Sequence, residues 1–171
     1  MAQKTAFLMI DLQNDYLPEG KFPLANAKTV VSMIAELATR IQDLYWMPIL
    51  VQHVAPPQAP FFSEGTPGAR IVEEITNAYP TAPIVQKKFA DSFWDTDLLK
   101  ILSENGIQRV VLCGMMTQNC VTHTALSKLA EPFDIKIVGE LCTTVSEILH
   151  AIALNALVTR NIVVEAKSLL G

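Results

Sequence analysis

Short runs of uninterrupted apolar residues alternate along this chain with longer stretches in which apolar positions recur every three or four residues. The first pattern reads as strand buried on both faces, the second as amphipathic helix. Residues 5–10 form the first apolar run. Over 26–46, Val30, Ile34, Leu37, Ile41, Leu44 and Tyr45 keep helical spacing, and Pro48 ends that helix. A second strand is expected over 49–54, a short helix over 69–77 and a third strand over 83–86. Residues 96–105 read as helix, with Gly106 as its C-terminal stop. A fourth strand spans 109–113 and breaks at Gly114, and helix follows over 118–129. The fifth strand is 135–138. Thr144 with Glu147 has the spacing of a capping box, opening a helix through Leu157, and 161–164 is the sixth strand.

Six alternations of apolar strand with helix predict an α/β domain whose parallel sheet is covered on both faces. At 171 residues the chain suits one domain with one sizeable core, so 1–171 is read as a single unit. The Pro-rich stretch 55–67, with Phe61-Phe62 inside it, is the one long loop, and a loop of that length in a compact domain is usually functional or mobile.

Composition narrows the partners. Half the residues are apolar and 18% are charged, which predicts a folded chain. The formal charge is −4 and Lys87-Lys88 is the only adjacent basic pair, which argues against a nucleic-acid partner. No stretch approaches the roughly 18 apolar residues of a membrane span. The run at 6–10 is too short for the apolar core of a signal peptide, so none is expected. Cys113, Cys120 and Cys142 are an odd count at no metal-ligand spacing and read as reduced thiols of a cytoplasmic protein. High apolar content in a short chain points to a homo-oligomer.

In a parallel α/β sheet, ligands sit beyond the carboxyl ends of the strands. That rule selects Asp11 after strand one, Lys87 after strand three, and the segment Gly114 to Cys120 after strand four. Cys120 falls in the predicted first turn of a helix, where backbone N–H groups and the helix dipole favour a thiolate and can hold an oxyanion. A lysine nearby would lower the thiol pKa further, and a carboxylate can take the thiol proton and deliver it to a leaving amine. The competing readings are a core cysteine for Cys120, a turn cap for Asp11 and a surface lysine for Lys87. Their joint placement at three strand ends favours chemistry. His123, one turn beyond Cys120, offers a Cys–His dyad as an alternative, although both side chains leave the same helix. Cys113 and Cys142 read as structural, His150 has no assigned role, and Asp95 and Asp97 read as first-turn acids. No Asp-x-His pair is present, and Gly65-Thr66-Pro67-Gly68 lacks the spacing of a phosphate loop, so neither metal nor cofactor is expected.

Three segments together resemble the isochorismatase-like hydrolases, the superfamily that includes nicotinamidases and N-carbamoylsarcosine amidohydrolase. They are Phe7-Leu8-Met9-Ile10-Asp11-Leu12-Gln13-Asn14-Asp15-Tyr16, Lys87-Lys88-Phe89-Ala90-Asp91-Ser92-Phe93-Trp94, and Gly114-Met115-Met116-Thr117-Gln118-Asn119-Cys120-Val121-Thr122-His123. The resemblance implies a Rossmann-like three-layer α/β/α domain with a six-stranded parallel sheet and an Asp11–Lys87–Cys120 triad. It selects Lys87 over Lys88, because the lysine stands six residues before the aromatic Phe93. It also implies a cis Met115-Met116 peptide, with the amides of Met116 and Cys120 as oxyanion hole. Gln13, Phe22, His53, Phe61, Phe62, Phe93, Trp94 and Thr117 are the candidates for contact with a small-molecule substrate.

Two departures matter. Where nicotinamidases carry an Asp-x-His zinc motif, this chain has Val51-Gln52-His53-Val54-Ala55, and Glu140 stands where an Asp is usual. Isochorismatases that cleave a vinyl ether need no thiol, so Cys120 favours hydrolysis of an amide, ureido or carbamoyl C–N bond. Vinyl-ether hydrolysis and a non-catalytic, redox-responsive binding protein are the alternatives.

Overall fold

The computed structural model describes residues 3–170. Six parallel strands form one sheet in the order β3-β2-β1-β4-β5-β6. They are β1 (Thr5–Ile10), β2 (Met47–His53), β3 (Ile84–Lys87), β4 (Arg109–Met115), β5 (Asp134–Thr143) and β6 (Val163–Val164). The chain winds outward from β1 through β2 to β3, then returns to the other side of β1 for β4 to β6. The order therefore reverses between β1 and β4, and ligands bind such sheets in the crevice at that point.

The strands are apolar on both faces because both faces are covered. Phe7, Met9, Val111 and Cys113 pack with Val30, Val31 and Ile34 of α1 (Ala27–Glu36), Ile41 of α2 (Ala38–Asp43) and Ile75 of α3 (Glu73–Ala78). Leu8, Ile10, Val110 and Leu112 pack with Leu98 and Leu102 of α4 (Leu98–Glu104), Ala125 of α5 (Thr122–Ala125) and Leu157 of α6 (Glu147–Val158). A final short helix, α7 (Ala166–Leu170), returns to the first layer through Leu170. Among the described residues no helix is long and apolar enough to cross a membrane.

Several sequence expectations shift in detail. The helix expected over 26–46 is divided at Leu37, whose N–H bonds back three residues to Ile34 O at 3.3 Å; both halves still bury the same apolar stripe. Pro48 lies inside β2. Leu50 N–H donates to Pro83 O on the β3 side; the Pro48 nitrogen, two residues earlier, faces the same way before β3 begins, so no ladder bond is lost. Gly106 ends α4 as expected, with φ +64° and the paired bonds Gly106 N to Ser103 O and Ile107 N to Leu102 O. The helix expected at 69–77 starts later, at Glu73, after a 3-10 turn at Pro67–Ala69. Gly114 does not break β4, which continues to Met115, and Cys142 lies inside a longer β5 rather than after it. Ser146, not Thr144, caps α6: its hydroxyl accepts from Leu149 N–H at 3.3 Å, while Thr144 is fully buried.

Candidate active site

Asp11 directly follows β1, with positive φ (+55°) and no exposed surface. A short polar side chain tolerates that left-handed conformation better than a bulky one. Its amide still donates to Val51 O at 3.0 Å, tying the bend to β2. Beside it, Gly114 of β4 has φ +114°, and a Cβ there would meet Ile10 O at 2.1 Å. The close approach of β4 to the end of β1 therefore requires glycine.

Lys87, at the end of β3, reaches across the end of β2. Its Nζ lies 2.9 Å from Asp11 Oδ2, with both side chains fully buried. The ammonium also donates to Phe89 O (3.0 Å) and Ala90 O (3.4 Å) and lies 3.3 Å from His53 Nδ1. Burial pulls its pKa down, but the charges of Asp11 and Cys120 and hydrogen bonds to them outweigh burial and hold it above its usual value.

After Met115 the backbone passes through a cis Met115–Met116 peptide into a π-helical turn, Thr117–Val121, and only then into α5. The α-helix expected over 118–129 is thus a wider turn followed by four residues of helix. The width comes from Val121 N–H bonding back five residues to Met116 O at 3.3 Å, and from Thr122 Oγ1 donating to Thr117 O at 2.6 Å. The turn buries Cys120 to 2% exposure. Burial pushes its thiol up to about 12, the Asp11 charge adds to this, and Lys87 acts in the opposite direction. The expected lowering of the thiol pKa is therefore reversed: desolvation beside a carboxylate outweighs the lysine. Cys120 Sγ and a carboxyl oxygen of Asp11 lie within 4.8 Å of each other.

His53, at the end of β2, completes the cluster. Atoms of Asp11, His53 and Cys120 lie within 4.8 Å of one another. These three are metal-ligating residue types, but the donor set does not fit a metal: the Lys87 ammonium already stands against Asp11 and His53, and a cation would have to displace it. Gln13 fixes His53 through its backbone. Its Nε2 donates to His53 O (2.8 Å) and Ala69 O (2.7 Å), and its Oε1 accepts from His53 N–H (2.8 Å).

A cavity of about 190 Å³ opens above Cys120. Tyr16, Ala55, Ala59, Pro60, Phe61 and Met116 form its apolar walls, with His53 and Asn119 beside the thiol. The long loop supplies four of these residues. Asp15 anchors that loop by accepting from Phe62 N–H at 2.6 Å, and Phe61 stacks on Phe22 with ring centroids 4.9 Å apart. Of the residues expected to contact substrate, His53 and Phe61 line this cavity. Gln13 lies behind His53, and Phe62 is buried against Tyr16 at 4.5 Å. Phe22 supports the loop from outside, and Phe93 packs in the core against Phe133 at 6.2 Å. Trp94 is 60% exposed. Thr117 is buried with its hydroxyl 2.8 Å from His150 Nδ1, giving His150 a contact that the sequence did not reveal. His123 turns to Asn119 O at 2.8 Å on the exposed side of the turn, so the Cys–His dyad does not form. Glu140 is remote from the cavity and accepts from Ala166 N–H at the start of α7. Ala59 and Pro60 were missed because only folding brings the loop over Cys120; Tyr16 and Asn119 stand in the segments of Asp11 and Cys120, where nothing local shows that they face a cavity.

The Isochorismatase domain family matches residues 5–167. YddQ, an isochorismatase-family protein of Bacillus subtilis, is 34% identical over 141 residues, covering 82% of this chain and 78% of that protein. Maleamate amidohydrolase of Pseudomonas putida is 27% identical over 154 residues, covering 81% and 71%. Among solved structures, an isochorismatase-like hydrolase from Alkaliphilus metalliredigens superposes with a TM-score of 0.87 at 26% identity, covering 98% of this chain and 97% of that one.

Proposed function

This chain belongs to the isochorismatase family of hydrolases, and from that premise we propose that it hydrolyses a C–N bond of a small molecule through a thioester on Cys120. The observation that carries the reading is the buried convergence of Asp11, Lys87 and Cys120 at the sheet's switch point, beneath a small cavity. The bond is an amide, ureido or carbamoyl C–N bond.

The chemistry follows from the contacts. Asp11 takes the proton from the Cys120 thiol as sulfur attacks the carbonyl carbon. The oxyanion is held by the amides of Met116 and Cys120. The tetrahedral adduct collapses, the C–N bond breaks, and Asp11 returns the proton to the leaving nitrogen. A water then attacks the thioester, losing its proton to Asp11, which passes it back to sulfur as the acid is released. Lys87 pairs with the Asp11 carboxylate and stabilises the negative charge that passes from carboxylate to sulfur. The same carboxylate thus serves both half-reactions, which requires the close, dry pairing described above.

The test is a panel of small amides, ureas and carbamoyl compounds assayed for ammonia release, alongside isochorismate assayed for pyruvate release. Ammonia release from at least one compound is expected. Pyruvate release alone would replace this reading with vinyl-ether hydrolysis. The proposal includes a homo-oligomer, supported by the exposed Ile148 (76%) and Ile152 (61%) on α6, and a cytoplasmic location, supported by three free cysteines. Light scattering that gives a monomer at all concentrations would remove the oligomer.

A further inference from the structure

Two features of the cavity concern which amide it accepts. The first is its charge. Among the described residues no arginine or lysine lines it. The nearest cation is Lys87, which is fully buried and already committed to Asp11, Phe89 O, Ala90 O and His53. A substrate carboxylate seated above Cys120 would therefore be dehydrated without a counter-ion, within reach of the buried Asp11.

The second feature is the state of His53. An ammonium has only protons to offer, so Lys87 Nζ at 3.3 Å from Nδ1 makes Nδ1 an acceptor. The ring is then neutral, with its one N–H on Nε2. A doubly protonated ring would set N–H against N–H. Burial and the Lys87 charge both lower the His53 pKa, in agreement with this geometry. The ring lines the cavity beside Cys120, and Gln13 fixes its backbone from behind.

We infer that the site selects an uncharged small amide, with His53 donating from Nε2–H to an acceptor on the substrate next to the scissile carbonyl. The inference rests on the cysteine-hydrolase reading above and adds a charge class and a recognition group to it. Size sets a further limit, because about 190 Å³ equals roughly six waters at ~30 Å³ each. The apolar walls favour a compact carbon skeleton.

Matched pairs that differ only in charge test it: malonamide against malonamate, and succinamide against succinamate, at pH 8 with ammonia release as readout. The diamide of each pair is expected to have at least a tenfold higher kcat/KM. His53→Leu is expected to raise KM for the diamide more than it lowers kcat, and His53→Gln, which keeps a donor, to recover part of the loss. Ala59→Arg, which adds a cation to the cavity wall, is expected to shift preference toward the half-acid. Equal or better turnover of the half-acids, dependent on Cys120, would overturn charge selection and leave the cysteine mechanism standing. An unchanged KM in His53→Leu would overturn the role of His53. Absence of Cys120-dependent turnover for both pairs would overturn this inference, and only failure of every amide, urea and carbamoyl compound of the wider panel would overturn the reading beneath it as well.

Discussion

Replacing Lys87 by methionine isolates the role of the buried ion pair. The side chains of Lys87 and Asp11 are both fully buried, with 2.9 Å between Nζ and Oδ2, and Asp11 Oδ1 has no hydrogen-bond partner among the described residues. Lys87→Met fills the space but leaves a buried carboxylate alone. Removing one partner of such a pair costs about 3–5 kcal/mol. At roughly 2–4 °C per kcal/mol for a chain of this size, Tm should fall by roughly 6–20 °C. Asp11→Asn should cost less, because Lys87 keeps Phe89 O, Ala90 O and His53 Nδ1 as acceptors. The double variant removes both charges and should recover more than half of the Lys87→Met loss, while all three proteins remain catalytically inactive. Urea or thermal unfolding of the four proteins closes the cycle. A Lys87→Met protein as stable as wild type, or losses that simply add in the double variant, would refute the coupling.

Other expectations follow from the same contacts. Gly114→Ala sets a Cβ 2.1 Å from Ile10 O at positive φ, so it should destabilise by at least about 1–3 kcal/mol in urea unfolding and reduce activity by moving Asp11. Gln13→Leu removes the side chain that pairs with both the N–H and the C=O of His53, while Ala69 O keeps Gln52 Nε2 at 2.8 Å; it should raise KM and cost about 1–3 kcal/mol of stability. Burial raises the thiols of Cys120 and Cys142 from 9.0 to about 12, so the folded state holds protons that the unfolded state releases. Stability should therefore be intact below pH 9 and decline between pH 9 and about 12, and Cys120→Ala should flatten that slope in unfolding titrations.

The sheet was legible because its strands are continuously apolar: 5–10 and 109–113 leave little choice but burial on both faces. The convergence of Asp11, Lys87 and Cys120 was legible by the same logic, since each follows such a run, while the local resemblance chose Lys87 over Lys88. What the pattern could not convey was geometry set by contact. The wide turn at Thr117–Val121 depends on bonds to Met116 O and Thr117 O, and helical periodicity cannot tell it from an α-helix. Gly114 reads locally as a strand breaker, yet it is the residue that lets β4 pass Ile10. The lowered thiol pKa expected from a helix start and a lysine was reversed by burial against Asp11, a quantity that exists only in the folded chain. Four of the cavity walls come from a loop distant in sequence; Phe61 was marked there by being aromatic, whereas Ala55, Ala59 and Pro60 carried no local mark of their position.

The central claim is that Cys120 sulfur forms a bond to the substrate carbon. Its most direct test is steady-state ammonia release by Cys120→Ala against wild type on any amide the wild type turns over. A fall in kcat/KM on the order of 10³-fold or more is expected, equivalent to about 4 kcal/mol of lost transition-state stabilisation, with the fold retained by circular dichroism. A folded Cys120→Ala protein that releases ammonia within tenfold of the wild-type rate would contradict it.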